Sequence, residues 1–501
     1  MSLDGFKRLA ATSGLVPVWR DCVLDTDTPV TAFAKLRRGP FAFLLESAPA
    51  GGETWARYTY MGSEPRFAWR LTGGVVDDWT PGRGWHNPRT PPDPLADLAR
   101  LVEDVKPSNV AELGEFWSGI VGFFSYDVAR VIERLPVRPK PSLGAPDALF
   151  VFTRSLVILD NLHGRARVVI SVPIPPRATD GELESLHAEA NGELEEIFRR
   201  LRGPVSLPPL PQDAPTLPRE ETSSYDRTAF IEHVERIREY IRAGDCFQVL
   251  LSRRIDVPLD FDPSELYRAL RAINPSPYMY HLVLDGLEIV GSSPELLVRV
   301  SGSRVILRPI AGTRRRATEP EGDDRLAGEL LADEKERAEH VMLVDLGRND
   351  VGRVSTFGSV RVTEFMKVEK FSHVLHIVSQ VEGNLRPGLS GLDVFRATFP
   401  AGTMTGAPKI RAMEIIDELE PVSRGPYAGA IGYIAAGGAR MDLAITIRTC
   451  IVTGGKASVQ AGAGIVADSV GETEWDETRG KAEALLSAIA AVRRPSPASG
   501  Q

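Results

Sequence analysis

Two carboxylate pairs are the first groups in this chain with the types and spacing for chemistry. Glu336 and Glu339 lie one helical turn apart in the run from Asp333 to Asp350, which begins charged and ends in a dense apolar stretch. The run reads as one helix of about four turns with Gly347 at the C-cap position, so both carboxylates share a face. Paired oxygen ligands on a helix whose other side is buried suit a hard divalent cation. A solvated acidic face has the same pattern. Near the other end, Glu474, Glu477 and Lys481 fall at i, i+3 and i+7 of a helix over 472–490, a second carboxylate pair with a cation on one stripe. Two such helices suit a magnesium ion that keeps positions open for water and an anionic substrate. An ordinary amphipathic terminal helix also fits this spacing.

The elements that must position these groups are read from periodicity and punctuation. In the first half, 41–47 reads as a buried strand and 117–126 as a central one. The run 149–159 reads as a strand that pairs back with 165–172 across the turn at 161–164, and 182–201 as one of two amphipathic helices. Six prolines between Gly203 and Thr222 interrupt any helix or central strand. The expected division is therefore an N-terminal region 1–202, a linker 203–222, a region 223–492 and a tail 493–501. The second region opens with a cap at Ser223 to Asp226 and a helix over 227–243, then a strand at 246–252 and a helix at 263–272. The segment 274–281 is stiffened by Pro275 and Pro277, and strands follow at 288–300 and 304–310. Beyond 370, His373 and His376 stand in an apolar run. Residues 399–409 form a Gly/Thr/Pro loop without the spacing of a P-loop, and 425–433 and 461–464 read as glycine-rich strand ends open to a ligand.

Composition bounds the partners. With 501 residues, 43% hydrophobic and 25% charged, the chain is an ordinary globular one of about two to four domains. A net charge of −8 without long basic runs argues against nucleic acid and anionic membranes. No stretch approaches a membrane span, no signal-peptide pattern is present at the N-terminus, and three scattered cysteines form no metal or disulfide framework, so a cytoplasmic protein is expected.

With these residues assembled, the chain resembles the chorismate-utilising enzymes. The resemblance is carried by Pro309-Ile310-Ala311-Gly312-Thr313-Arg314, by 333–350, by Gly402-Thr403-Met404-Thr405-Gly406-Ala407-Pro408-Lys409 and by 462–469. It implies an α+β fold in which large antiparallel β-sheets form a sandwich with helices packed on the outside. It also implies magnesium as cofactor, with Glu339 and Glu477 as ligands and Glu336 and Glu474 acting through bound water. Chorismate would be held by Gly312, Thr313, Tyr427, Arg448, Gly462, Ala463, Gly464 and Lys481. Glu295 would be the general acid, and His376 and Thr403 would lie near the reacting ring in the elimination step. The chemistry agrees, because a small dianion inside an acidic protein needs a bidentate guanidinium, a point charge and bare backbone N–H groups.

Relatives that add water resemble one another in a lysine where this chain has Gln248, an amide without a basic lone pair. Aminodeoxychorismate-forming relatives commonly carry a nucleophilic lysine where this chain has Ala311. Both departures point to a lyase that adds ammonia, passes through aminodeoxyisochorismate and releases pyruvate to give anthranilate, the first committed step of tryptophan biosynthesis. Aminodeoxychorismate formation is the enzymatic alternative, and a non-catalytic tryptophan or chorismate sensor is the alternative from another class. The segments 44–47 and 274–279 resemble a tryptophan feedback pocket lined by Ser47, Pro277, Tyr278 and Met279, which would join the two halves in one body. None of the cysteines stands in a nucleophile context, so ammonia would come from a separate glutamine amidotransferase subunit.

Overall fold

The structure is a computed structural model that describes residues 1–47, 57–136, 140–210, 221–317, 319–371 and 374–493. Antiparallel pairing builds two 12-stranded sheets. The first runs in the order 15–23, 165–173, 155–160, 58–63, 41–46, 278–284, 288–293, 449–453, 456–465, 248–258 and 222–223, with 406–407 paired to the side. The second runs 310–315, 374–384, 304–307, 296–301, 440–445, 430–435, 119–124, 148–152, 67–72, 75–80 and 84–89, with 361–370 beside 374–384. Each sheet takes one end from each half of the chain. The joints are Phe41–Glu46 against Tyr278–Leu284, and Gly119–Phe124 against Ala430–Ala435.

The side chains explain the layering. Phe41, Phe43, Leu282 and Ile289 from the first sheet meet Val121, Phe123, Leu149 and Ile431 from the second in one buried core. Each such side chain contributes about 1.5–3 kcal/mol by leaving water. The outer face of the first sheet is covered by helices including Asp180–Leu201, Pro263–Ile273 and Gly471–Val492. The outer face of the second is covered by Pro94–Glu103, Glu334–Gly352 and Gly391–Thr398. The fold is therefore the expected α+β sandwich with helices outside, and its two carboxylate helices lie on different sheets.

Several local expectations change. The run 149–159 is two strands: Ala148–Phe152 belongs to the second sheet and Ser155–Asp160 to the first. Thr153 marks the crossing, its N–H donating to Gly119 O at 2.9 Å. The run 288–300 likewise splits at Pro294 and Glu295 between the two sheets. Gly347 is not a cap, because the helix continues to Gly352. It is buried, and a Cβ built on it would stand 3.7 Å from Val381 and 3.8 Å from Leu307, in ordinary van der Waals contact. The glycine-rich run 461–464 does lie at a strand end: Gly462, Ala463 and Gly464 fall among the last paired residues of Lys456–Ile465, opposite Ser252, Leu251 and Leu250. Leu3–Ala10, Pro29–Leu36 and Pro94–Glu103 are helices that periodicity did not single out. His373, residues 211–220 of the linker and the tail beyond 493 lie outside the described residues.

Candidate active site

Two crossovers between the sheets form the centre of the site. Glu295 lies between strands Glu288–Ser293 and Leu296–Ser301, and Arg448 between Arg440–Ile445 and Thr449–Thr453. The crossovers are stitched together: Ile445 N–H donates to Glu295 O at 3.0 Å, and Ser292 N–H to Arg448 O at 3.1 Å. The Ser293 hydroxyl donates to Ile445 O at 2.6 Å. Arg448 takes a left-handed φ of 51° to make its turn.

This places the Glu295 carboxyl under both sheets, 7% exposed. Burial pushes its pKa up to about 7, against the opposing pull of the Thr403 hydroxyl, the Ile310 backbone, Arg448 and Lys481. The Thr403 hydroxyl forms no hydrogen bond of ordinary geometry. The Arg448 guanidinium is lowered by burial and is drawn electrostatically to Tyr427, Glu295 and Glu477.

His376 faces the same space. Its Nδ1 lies 2.7 Å from Gly312 O and 3.3 Å from Thr313 Oγ1. Gly312, at φ 68°, produces a bulge in the pairing of Ile310–Arg315 with Val374–Asn384, and the bulge turns that carbonyl towards the ring. A carbonyl can only accept, so Nδ1 carries the proton and Nε2 keeps its lone pair. Burial lowers the imidazole to about 4, which leaves it neutral near pH 7.

The carboxylates converge from the two helices. Gln248 donates from Nε2 to Glu339 Oε1 at 3.2 Å and lies against Gly464, where a built Cβ would stand 2.6 Å from that nitrogen. Arg314 reaches Glu336 at 3.2 Å and Asp333 at 2.8 Å. Lys481 pairs with Glu477 at 2.6 Å and donates to Gly462 O at 3.0 Å. Burial raises the pKa of Glu339, the Gln248 hydrogen bond opposes it, and the negative charge of Glu336 and Glu477 adds to it. Glu474 is the buried member of its pair and is also raised by burial, while Glu477 is exposed.

Ser47, Pro277, Tyr278 and Met279 come together elsewhere, in the walls of a cavity of about 560 Å³ that both sheets and both halves enclose. Asp442 and Glu369 also line it, and Asp442 Oδ1 and Glu369 Oε2 are buried there without hydrogen-bond partners.

A family model described as chorismate binding enzyme matches residues 83–487. The chain belongs to the chorismate-binding enzymes. It is 45% identical to anthranilate synthase component 1 of Pseudomonas putida, over 99% of this chain and 100% of that one. It is 46% identical to the component 1 of Thermus thermophilus, over 94% and 97%. Among solved structures, anthranilate synthase component I of Streptococcus pneumoniae superposes with a TM-score of 0.74 at 37% identity, covering 93% of this chain and 99% of that one.

For a chorismate-binding enzyme the oxygen-only set Glu336, Glu339, Glu474 and Glu477 has the right chemistry for a hard dication. Its buried members are raised by burial and by neighbouring like charge, which a cation would relieve. Among the described residues no three acidic, His or Cys side chains already stand in coordinating array. The sequence reading did not single out Glu420 and Arg424, both under 4% exposed. Arg424 donates to Glu420, to Met404 O and to Leu250 O, while Glu420 accepts from Ser252, so one ion pair ties the Thr403 loop to the Gln248 strand. Their i, i+4 spacing was the available signal. Among the described residues no helix is long and apolar enough to cross a membrane.

Proposed function

We propose that this chain adds ammonia to chorismate and then eliminates pyruvate, giving anthranilate as a lyase of tryptophan biosynthesis. The observation that carries the proposal is the stitched pair of crossovers, which sets an acid titrating near neutrality, Glu295, beside the half-buried cation Arg448. Arg448 holds a substrate carboxylate. Glu295, protonated near pH 7, gives its proton to the departing ring hydroxyl. Gln248 offers an amide and no base, which suits an ammonia nucleophile rather than water. His376 Nε2 stands ready to take a proton as the ring aromatises, with Thr403 beside the acid. Glu339 and Glu477, assisted by Glu336 and Glu474, would hold magnesium, which when bound polarises the substrate carboxylate. Ala311 is buried and has no nucleophile, which disfavours aminodeoxychorismate formation.

Ammonia comes from a partner amidotransferase. Cys22, Cys246 and Cys450 are all raised by burial, Cys450 to about 12, the opposite of an activated thiolate. The 560 Å³ cavity takes L-tryptophan as inhibitor, its ammonium meeting Asp442 and Glu369. Pro294 and Leu296, which flank Glu295, form part of that cavity's wall, as does Phe371, whose ring lies 5.1 Å from His376. An occupant therefore bears on both reacting groups, and the effect is allosteric.

The test is to incubate the pure chain with chorismate, magnesium and ammonium, with and without tryptophan, and to identify the product by mass. Anthranilate is expected from ammonium and none from glutamine, with inhibition by tryptophan. Glu339→Gln should abolish the magnesium-dependent rate and leave tryptophan binding intact. A product that keeps its pyruvyl group would refute the reading.

A further inference from the structure

Glu295 faces a second space. A cavity of about 40 Å³ is lined by Glu295, Thr403 and Thr398 and by Leu343, Leu346 and Asp350 of the carboxylate helix. Its size and polar groups suit one or two waters, with the unpartnered Thr403 hydroxyl among the available partners. Asp350 is 4% exposed and accepts from Lys409 Nζ at 2.8 Å. Lys409 also reaches Thr398 O at 3.4 Å, and its chain neighbours Pro408 and Ile410 are exposed. The order from inside to outside is thus Glu295, cavity, Asp350, Lys409, solvent.

We propose that Asp350, backed by Lys409, is the proton relay that restores Glu295 after each turnover, through water held in this cavity. The inference rests on Glu295 being the acid of the proposed reaction. Chorismate and ammonia become anthranilate, pyruvate and water. When the ring C–O bond breaks, the hydroxyl leaves as water with the Glu295 proton, while the attacking nitrogen sheds one of its own, which is released to bulk solvent. Glu295 is then a carboxylate shut away from bulk solvent. Lys409 passes a proton to Asp350, Asp350 passes one through the cavity water to Glu295, and Lys409 is reprotonated from outside, so no net charge is left. The groups facing Asp350 are Lys409 and Arg353, those facing Glu295 are Thr403, Arg448 and Lys481, and Arg308 also lines the cavity between them. Burial raises the Asp350 carboxyl against the pull of Lys409.

The test compares wild type, Asp350→Asn and the double variant Asp350→Asn with Lys409→Gln. The double variant removes both charges and leaves no buried unpaired ion, so it holds its fold where the single variant fails. The expected result is a chorismate KM near that of wild type, kcat lower by roughly 10- to 100-fold, a larger solvent deuterium isotope effect on kcat and partial rescue by added formate. A purely structural pair predicts that the double variant recovers wild-type kcat, and that result would overturn the relay. So would a slow variant with an unchanged isotope effect and no response to formate. Glu295→Gln is the control: if it retains turnover, the acid assignment falls; if it is dead while the double variant is fully active, only the relay falls.

Discussion

Glu295→Gln should make the protein inactive and, at alkaline pH, more stable. The folded-state pKa of Glu295 is raised from 4.5 to about 7 by burial. Between those values the folded chain holds a proton that the unfolded chain releases, so stability falls as pH rises. The group's favourable contribution is fully present below the unfolded value and is lost as pH rises through about 7. Raising the carboxyl from 4.5 to about 7 corresponds to about 3 kcal/mol. Glutamine keeps the shape and cannot ionise. Denaturant unfolding should give nearly equal stabilities at about pH 4 and a variant more stable by about 3 kcal/mol at about pH 8. Anthranilate formation should fall by about 10²- to 10⁴-fold. In wild type, kcat/KM at constant free ammonia should decline on the alkaline side with an apparent pKa near 7. A stability difference that does not change with pH would refute the burial account, and an active variant would refute the acid.

Three further outcomes follow from contacts in the site. Gly464→Ala puts a methyl 2.6 Å from Gln248 Nε2, which must leave Glu339, and turnover should drop on the order of 10- to 100-fold with the unfolding midpoint little changed. Arg424→Met strands the Glu420 carboxylate in the interior and should lower stability by about 3–5 kcal/mol in denaturant unfolding, with partial recovery when Glu420→Gln is added. Asp442→Asn removes the charge proposed to meet the ammonium of tryptophan, so half-inhibition by tryptophan should need roughly ten-fold more ligand while the uninhibited rate stays the same. Unaltered inhibition would exclude Asp442 from the pocket's recognition.

What the sequence could tell follows from the range of the interactions involved. Glu336 with Glu339, and Glu474 with Glu477 and Lys481, were legible because helical spacing is local, and both helices are where periodicity puts them. Local spacing could not tell that Glu474 is the buried member of its pair, or that Lys481 is already engaged by Glu477, since both depend on what packs against the helix. The apolar runs 149–159 and 288–300 read as unbroken strands for a related reason. A strand buried on both faces has the same composition in either sheet, and only long-range pairing decides which sheet it joins. That same ambiguity hides the chemistry. Glu295 is raised because its two neighbouring strands part into different sheets, leaving the carboxyl enclosed by both, and Arg448 is brought beside it because a second chain segment crosses at the same point. A polar residue at a break in a buried run is unremarkable in one dimension. Two such breaks hydrogen-bonded to each other bring a buried acid beside a half-buried cation. The reactivity assigned to Glu295 therefore comes from sheet topology, and moving either crossover should change its pKa before it changes the fold.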